Sequence, residues 1–103
     1  MVACSHVSIT TNITIGSHVH LNLNVTVGHD SVLGDFVTVN PGANISGAVE
    51  LGHGVTIGTG AVIIQGVSVG EGTTVGAGAI VTRDLPARVV AMGAPARPVR
   101  SLA

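Results

Sequence analysis

A six-residue repeat runs through most of this 103-residue chain. A frame that starts at Ile9 finds an aliphatic residue at thirteen consecutive sixth positions, ending at Val81. The residue four places after each of them is also small or aliphatic, with Ser31 and Thr73 in the same series. A period of six is neither helical nor a simple strand alternation, so it indicates a repeat architecture.

Each six-residue unit fits a short strand followed by a turn. The residue directly after the first aliphatic residue is usually Gly or Asn. Because both tolerate positive φ, we expect these residues to form the tight turns. Three units then close one triangular coil, and the repeat region is long enough for a little over four coils. The sequence therefore predicts an all-β solenoid whose stacked coils bury a continuous aliphatic prism.

Residues 18 apart should occupy the same corner in neighbouring coils, about 4.8 Å from each other. One corner is regular, with Gly16, Gly34, Gly52 and Gly70 in equivalent places. Another corner is irregular. It contains Gly28, Ser46, Ile64 and Thr82, followed by His29, Gly47, Gln65 and Arg83. Departures from a strict local rule often mark a functional site.

The pair His29-Asp30 lies on the irregular corner, with Gly47 directly over His29 in the next coil. A neutral imidazole can take a proton from an amine or hydroxyl, and a neighbouring carboxylate can fix its tautomer. A glycine leaves its N–H accessible to a thioester oxygen. This pattern favours acyl transfer, and the alternative is an exposed turn histidine beside a solvated aspartate.

The charge distribution limits the choice of partners. The formal net charge is −1, and all four basic residues lie in the last 21 positions: Arg83, Arg88, Arg97 and Arg100. Such a tail could meet the phosphates of a small cofactor or simply be solvated, and it is too narrow for a nucleic-acid face. No apolar run approaches the roughly 20 residues of a membrane span, and no leader-like start is present, so we expect a cytoplasmic chain without membrane contact.

The stretch HLNLNVTVGHDSVLGDFVTVNPGANISG, from His20 to Gly47, together with GAGAIVTRDLP and GAPARPV, resembles a known family. The resemblance is to the sialic acid O-acetyltransferases and to their relatives that N-acetylate nucleotide-activated amino sugars, which are hexapeptide-repeat enzymes. It implies a left-handed parallel β-helix, acetyl-CoA as the co-substrate, a sugar or nucleotide-sugar acceptor and a homotrimer. Neither the acceptor sugar nor the choice between N- and O-acetylation can be read from the chain.

The resemblance also assigns residues. It makes His29 the general base with Asp30 as its acidic partner, and it places the amide that meets the acetyl carbonyl at Gly47. Further donor contacts fall on Thr59 and Ala77.

Thr38 stands where some relatives carry a second histidine that touches donor or substrate. His20 lies one coil earlier in the same column and could replace that histidine, or it is a surface residue.

The resemblance divides the chain into a β-helix at 1–85 and a closing strand and tail at 86–103. Within the tail we expect Pro86, Pro95 and Pro98 to stop strand pairing. Family members usually carry an N-terminal nucleotide-sugar-binding domain, so this chain looks like a truncated segment or one whose end a partner covers.

Two other functions remain open at this stage. The γ-class carbonic anhydrases use the same solenoid to bind zinc through histidines of neighbouring coils and subunits, but the five histidines here include no pair spaced by 18. We therefore predict no metal site and interpret Asp35, His53 and Glu71 as a solvated charge ladder. A purely structural or ice-binding solenoid would need a regular Thr-x-Thr array on one face, which the sequence lacks.

Overall fold

The computed structural model of the protein describes residues 1–102, which wind into three parallel sheets around one axis. Face A contains Val2–Ala3, His20–Leu21, Thr38–Val39, Thr56–Ile57 and Thr74–Val75. Face B contains Ser8–Ile9, Thr26–Val27, Asn44–Ile45, Val62–Ile63 and Ile80–Val81. Face C contains Thr14–Ile15, Val32–Leu33, Glu50–Leu51 and Ser68–Val69. The chain visits A, B and C in turn, so each coil has an A–B, a B–C and a C–A corner.

The corners are four-residue turns that stack in columns. The A–B corner comprises residues 4–7, 22–25, 40–43, 58–61 and 76–79. The B–C corner comprises residues 10–13, 28–31, 46–49 and 64–67, and a shorter turn at 82–84, after which Leu85 pairs with Val69 on face C. The C–A corner comprises residues 16–19, 34–37, 52–55 and 70–73, with 86–88 above them.

The 18-residue register is confirmed by the strand pairing. On face B, for example, Thr26 pairs with Asn44 and Val27 with Ile45. The solenoid has about five turns, somewhat more than the predicted number. The difference arises because Val2–Ala3 begins a coil before Ile9, and a strand after residue 85 returns the chain to face A.

The inside of the prism is filled by the aliphatic residues of the repeat. The largest fully buried side chains are Leu21, Leu33, Ile45, Leu51, Ile57 and Ile63. Full burial of one such side chain contributes about 1.5–3 kcal/mol, and the stacked coils join these side chains into one cluster. Within residues 1–102 only Ser31 and Thr73 place a polar side chain in this interior, and both are fully buried.

The expected role of the glycines in the turns is wrong. From Ile9 to Val75, positive φ occurs at the third residue after each aliphatic position, as at Asn12, Asp30 and Gly66, and not at the first. The glycines directly after the strands instead allow the next coil to pack closely against them, because they have no Cβ. A Cβ on Gly28, for example, would lie 2.5 Å from the backbone nitrogen of Gly47. A side chain is therefore excluded by the next coil and not by backbone conformation.

The tail forms a hairpin of Val89–Gly93 and Ala96–Ser101 that closes face A. Its first strand pairs in parallel with Thr74–Val75 and antiparallel with Ala96–Ser101. Contrary to expectation, Pro98 does not stop pairing and lies opposite Ala91. A proline is tolerated there because its strand is the outer strand of the sheet, where no N–H is needed on the open side. The predicted tail extends to Ala103, which lies outside the described residues.

Candidate functional site

His29 and Asp30 lie together in a turn of the B–C corner, with more than half of each side chain exposed. The imidazole Nδ1 is 3.1 Å from a carboxylate oxygen of Asp30. An ionised carboxylate only accepts hydrogen bonds, so the proton of a neutral His29 must be on Nδ1, which donates to Asp30. This tautomer leaves Nε2 free to accept a proton.

Asp30 is held in its ionised form. The hydrogen bond from His29, followed by one from Asn12, lowers the pKa of Asp30 below its usual value. Asn12 lies 18 residues earlier, at the equivalent place in the preceding coil, and both residues have positive φ. The carboxylate is therefore charged at neutral pH and fixes the orientation of the His29 ring.

Gly47 lies over the imidazole in the next coil. A Cβ built on Gly47 would be 2.6 Å from Nε2 and 2.8 Å from Cε1 of His29, so only glycine leaves the ring its present position. Its N–H donates no hydrogen bond to any group within residues 1–102, whereas its carbonyl accepts one from Gly66. The N–H of Gly47 and Nε2 of His29 thus lie at one corner, where the 18-residue spacing placed them, and their catalytic roles stay a prediction.

The other predicted donor contacts lie elsewhere on the chain. Thr59 and Ala77 are in the A–B corner, in adjacent coils. Beside them Gly60 and Gly78 have bare, outward-facing backbone, because a Cβ at either position would meet nothing within 4 Å. Thr38 is on face A, half-buried and paired with His20. Face A is on the opposite side of the prism from the B–C corner, so a single chain does not bring Thr38 to His29.

The arginines fall into different environments. Arg83 continues the column of His29 and Gly47 two coils above Gly47, and with Arg97 it lines a depression of about 240 Å³. Arg88 is instead in the C–A corner, where it donates to Glu71 at 2.9 Å. Because Arg88 is already paired, only some of the arginines in the predicted tail are free to bind an anion.

The predicted charge ladder is present on the C–A corner. The backbone N–H of Asp35 donates to Nδ1 of His53 at 2.8 Å, and the Asp35 carboxylate lies 3.8 Å from the same nitrogen. Glu71, one coil further, binds Arg88. His53 is therefore part of an exposed charge ladder. It also lines a shallow depression of about 440 Å³ on face C.

Two residues near the site were not singled out from the sequence. Asn12 could have been found as the residue 18 places before Asp30. Ser31 could have been noted as the one hydroxyl in an inward column that otherwise holds Ile13, Val49, Val67 and Leu85. It contacts the turn that carries Gly47.

Within the described part of the chain, no three His, Cys, Asp or Glu residues are grouped so that they could hold a metal ion. Residues 1–102 also contain no helix with the length and apolar character needed to cross a membrane.

Comparisons with known proteins agree with this geometry, although no family model matches the chain. WeeI from Acinetobacter baumannii AYE has a TM-score of 0.90 at 42% identity, over 93% of this chain and 48% of that protein. GDP-perosamine N-acetyltransferase of Escherichia coli O157:H7 is 46% identical over 43 residues, which are 42% of this chain and 20% of the relative. The chain is a hexapeptide-repeat β-helix related to the nucleotide-amino-sugar N-acetyltransferases. The left-handed parallel β-helix predicted from the resemblance is confirmed.

Two further solved structures extend the comparison. A variant of perosamine N-acetyltransferase from Caulobacter crescentus, in complex with CoA and GDP-perosamine, has a TM-score of 0.73 at 29% identity, over 94% of this chain and 55% of that one. Serine acetyltransferase from Neisseria gonorrhoeae has a TM-score of 0.88 at 26% identity, over 95% of this chain and 41% of that one. The chain thus spans about half the length of these solved relatives, or less.

Proposed function

We propose that this chain is the donor-binding and catalytic part of an acetyltransferase that moves the acetyl group of acetyl-CoA to the amine of a nucleotide-activated amino sugar. One observation carries the proposal: Nε2 of His29, whose ring is oriented by Asp30, lies beside Gly47 of the next coil, and the N–H of Gly47 has no partner within residues 1–102. The relatives support the choice of donor and acceptor, because one of them is solved with CoA and GDP-perosamine.

The reaction uses two groups of the B–C corner. The neutral amine of the acceptor attacks the thioester carbonyl while His29 Nε2 removes a proton from the nitrogen. The oxygen of the tetrahedral intermediate is negatively charged, and the N–H of Gly47 stabilises it. The C–S bond then breaks, and the imidazolium returns the proton to the departing CoA thiolate. Asp30 stays ionised throughout and stabilises the charged ring.

The donor is proposed to lie between two copies of the chain. Thr38, Thr59 and Ala77 are on face A and on the A–B corner, whereas His29 is on the B–C corner. One donor can meet both sets most directly when the A side of one copy faces the B–C corner of the next. Such a head-to-tail contact closes into a ring in a threefold assembly, which is why we propose a homotrimer.

The proposal is tested by release of CoA thiol from acetyl-CoA in the presence of an acceptor panel. The panel contains amino-sugar nucleotides, including GDP-perosamine, together with sialic acid and L-serine. We expect turnover with an amino-sugar nucleotide, an N-acetylated product by mass spectrometry, and no turnover when the amine is already acetylated. Turnover with L-serine alone, or absence of acetyl-CoA binding by calorimetry, would contradict the proposal.

A further inference from the structure

A buried hydroxyl connects the two halves of the proposed site. Ser31 follows Asp30 directly, and its side chain is fully buried. Its Oγ donates to the carbonyl oxygen of Ser46 at 3.0 Å and accepts from the N–H of Val49 at 3.2 Å. These two groups are the first and last of the turn 46–49, which carries Gly47. Ser31, in the turn 28–31 that carries His29, thus bridges the two ends of the turn 46–49 that carries the Gly47 N–H.

The solenoid contains two kinds of turn, which differ in the residue that has positive φ. Six turns have glycine at positive φ, and in each of them the N–H of the fourth residue donates directly to the carbonyl of the first, at 3.1–3.3 Å. The Gly47 turn has Ala48 at positive φ and makes no such direct bond. The other turns with a non-glycine residue at positive φ, within residues 1–102, lack this direct bond as well. In the Gly47 turn the hydroxyl of Ser31 provides a partner for both groups, and its bond to the Ser46 carbonyl fixes the peptide that also carries the Gly47 N–H.

We propose that Ser31 is a positioning residue that sets the orientation of the Gly47 N–H toward the acetyl carbonyl of the donor. The inference rests on the proposed function, since it concerns the same oxyanion donor. The hydroxyl uses one donor and one acceptor, and both bonds lie in a dry interior where they are well defined. Without them the Ser46 carbonyl and the Val49 N–H lose their partner, and the peptide between Ser46 and Gly47 loses the bond that fixes its orientation.

Thr73 provides a matched control inside the same chain. It is also fully buried, and its Oγ1 donates to the carbonyl of Pro86 at 2.6 Å and accepts from the N–H of Val89 at 3.2 Å. The turn that it spans is in the C–A corner, away from His29. Loss of this hydroxyl removes the same two kinds of bond without touching the proposed site.

The experiment compares Ser31→Ala with Thr73→Val in binding and turnover, at a temperature well below the melting point of both. Each variant should lower Tm by about 4 °C or more, because two buried backbone groups lose their partner. Ser31→Ala alone should weaken the affinity for acetyl-CoA relative to free CoA by roughly three- to tenfold, since only acetyl-CoA has the carbonyl that Gly47 contacts. Its kcat should fall at least about tenfold.

Ser31→Cys is the second variant, because its shape is close to that of serine and its hydrogen bonds are weak. It should change the acetyl-CoA to CoA ratio in the same direction as Ser31→Ala, and Ser31→Thr, which keeps the hydroxyl, should restore it. An unchanged ratio and kcat in Ser31→Ala and Ser31→Cys, with an active parent, would overturn the role of Ser31 alone. A parent that binds no acetyl-CoA would overturn the proposed function as well.

Discussion

The substitution Gly47→Ala tests the geometry of the site through a single methyl group. Gly47 does not have positive φ, so alanine fits the backbone without strain. Its Cβ would lie 2.6 Å from Nε2 of His29, whereas an ordinary contact begins near 3.4 Å. The imidazole must therefore move by about 0.8 Å, which disturbs the 3.1 Å bond to Asp30.

A displacement of this size has a large effect on catalysis and a small one on stability. A misplacement of about 1 Å can reduce a rate by roughly 100-fold, so we expect kcat to fall about 30- to 100-fold. Both side chains of the His29-Asp30 pair are more than half exposed, so the melting temperature should change little. Steady-state CoA release and thermal melting of the same samples measure the two quantities.

Two further variants test whether the loss of kcat in Gly47→Ala comes from contact between the new methyl group and the His29 ring. In a His29→Ala background the methyl group of Gly47→Ala meets no ring, so it should change the residual kcat by less than about twofold. Gly54→Ala, in the C–A corner away from His29, is the opposite control. Its φ of +71° strains any L-residue, but the nearest atom to its Cβ would be 3.9 Å away, so it should lower Tm and leave kcat unchanged. Equal losses of kcat from Gly47→Ala in both backgrounds would refute the contact with His29.

Three further predictions concern the surroundings of the site. Replacing Arg83 or Arg97 by Ala should lower the affinity for acetyl-CoA about tenfold more than the affinity for dephospho-CoA, because only acetyl-CoA has the 3′-phosphate that these arginines would bind. Arg88→Ala should change both affinities equally, because Arg88 is paired with Glu71. Asn12→Ala should raise the pKa of Asp30 toward its ordinary value, as measured by carboxyl NMR titration. On acidification, the stability that ionised Asp30 contributes should then be lost at a higher pH than in the parent. An unchanged pKa would show that Asn12 does not act on Asp30. Sedimentation should find a trimer, and a stable monomer that binds acetyl-CoA well would contradict the shared donor site.

The period of six made the fold and the columns predictable. Because each coil is 18 residues long, simple addition placed Gly47 over His29 and Glu71 above His53, and the structure confirms both placements. The sequence could not reveal which residue of each turn has positive φ, since glycine is also selected where the next coil leaves no room for a Cβ, as at Gly28.

The details of the site depend on contacts that spacing does not show. Ser31 stands in a column of larger aliphatic residues, which marks it as an exception, but its hydroxyl bridge to the Gly47 turn is visible only in three dimensions. The predictions for Thr38, Thr59 and Ala77 came from the family resemblance, and in one chain these residues lie away from His29. Their role as donor contacts remains a prediction that depends on a neighbouring copy.

The most direct test of acetyl transfer at this corner is the kinetics of His29→Ala with an amino-sugar nucleotide that the parent acetylates. A positioned general base contributes roughly 10²- to 10⁴-fold to a rate. We expect kcat to fall by this factor while the Kd for acetyl-CoA stays within about twofold of the parent value, because His29 acts on the acceptor. Near-normal kcat in His29→Ala would contradict acetyl transfer by His29 at this corner.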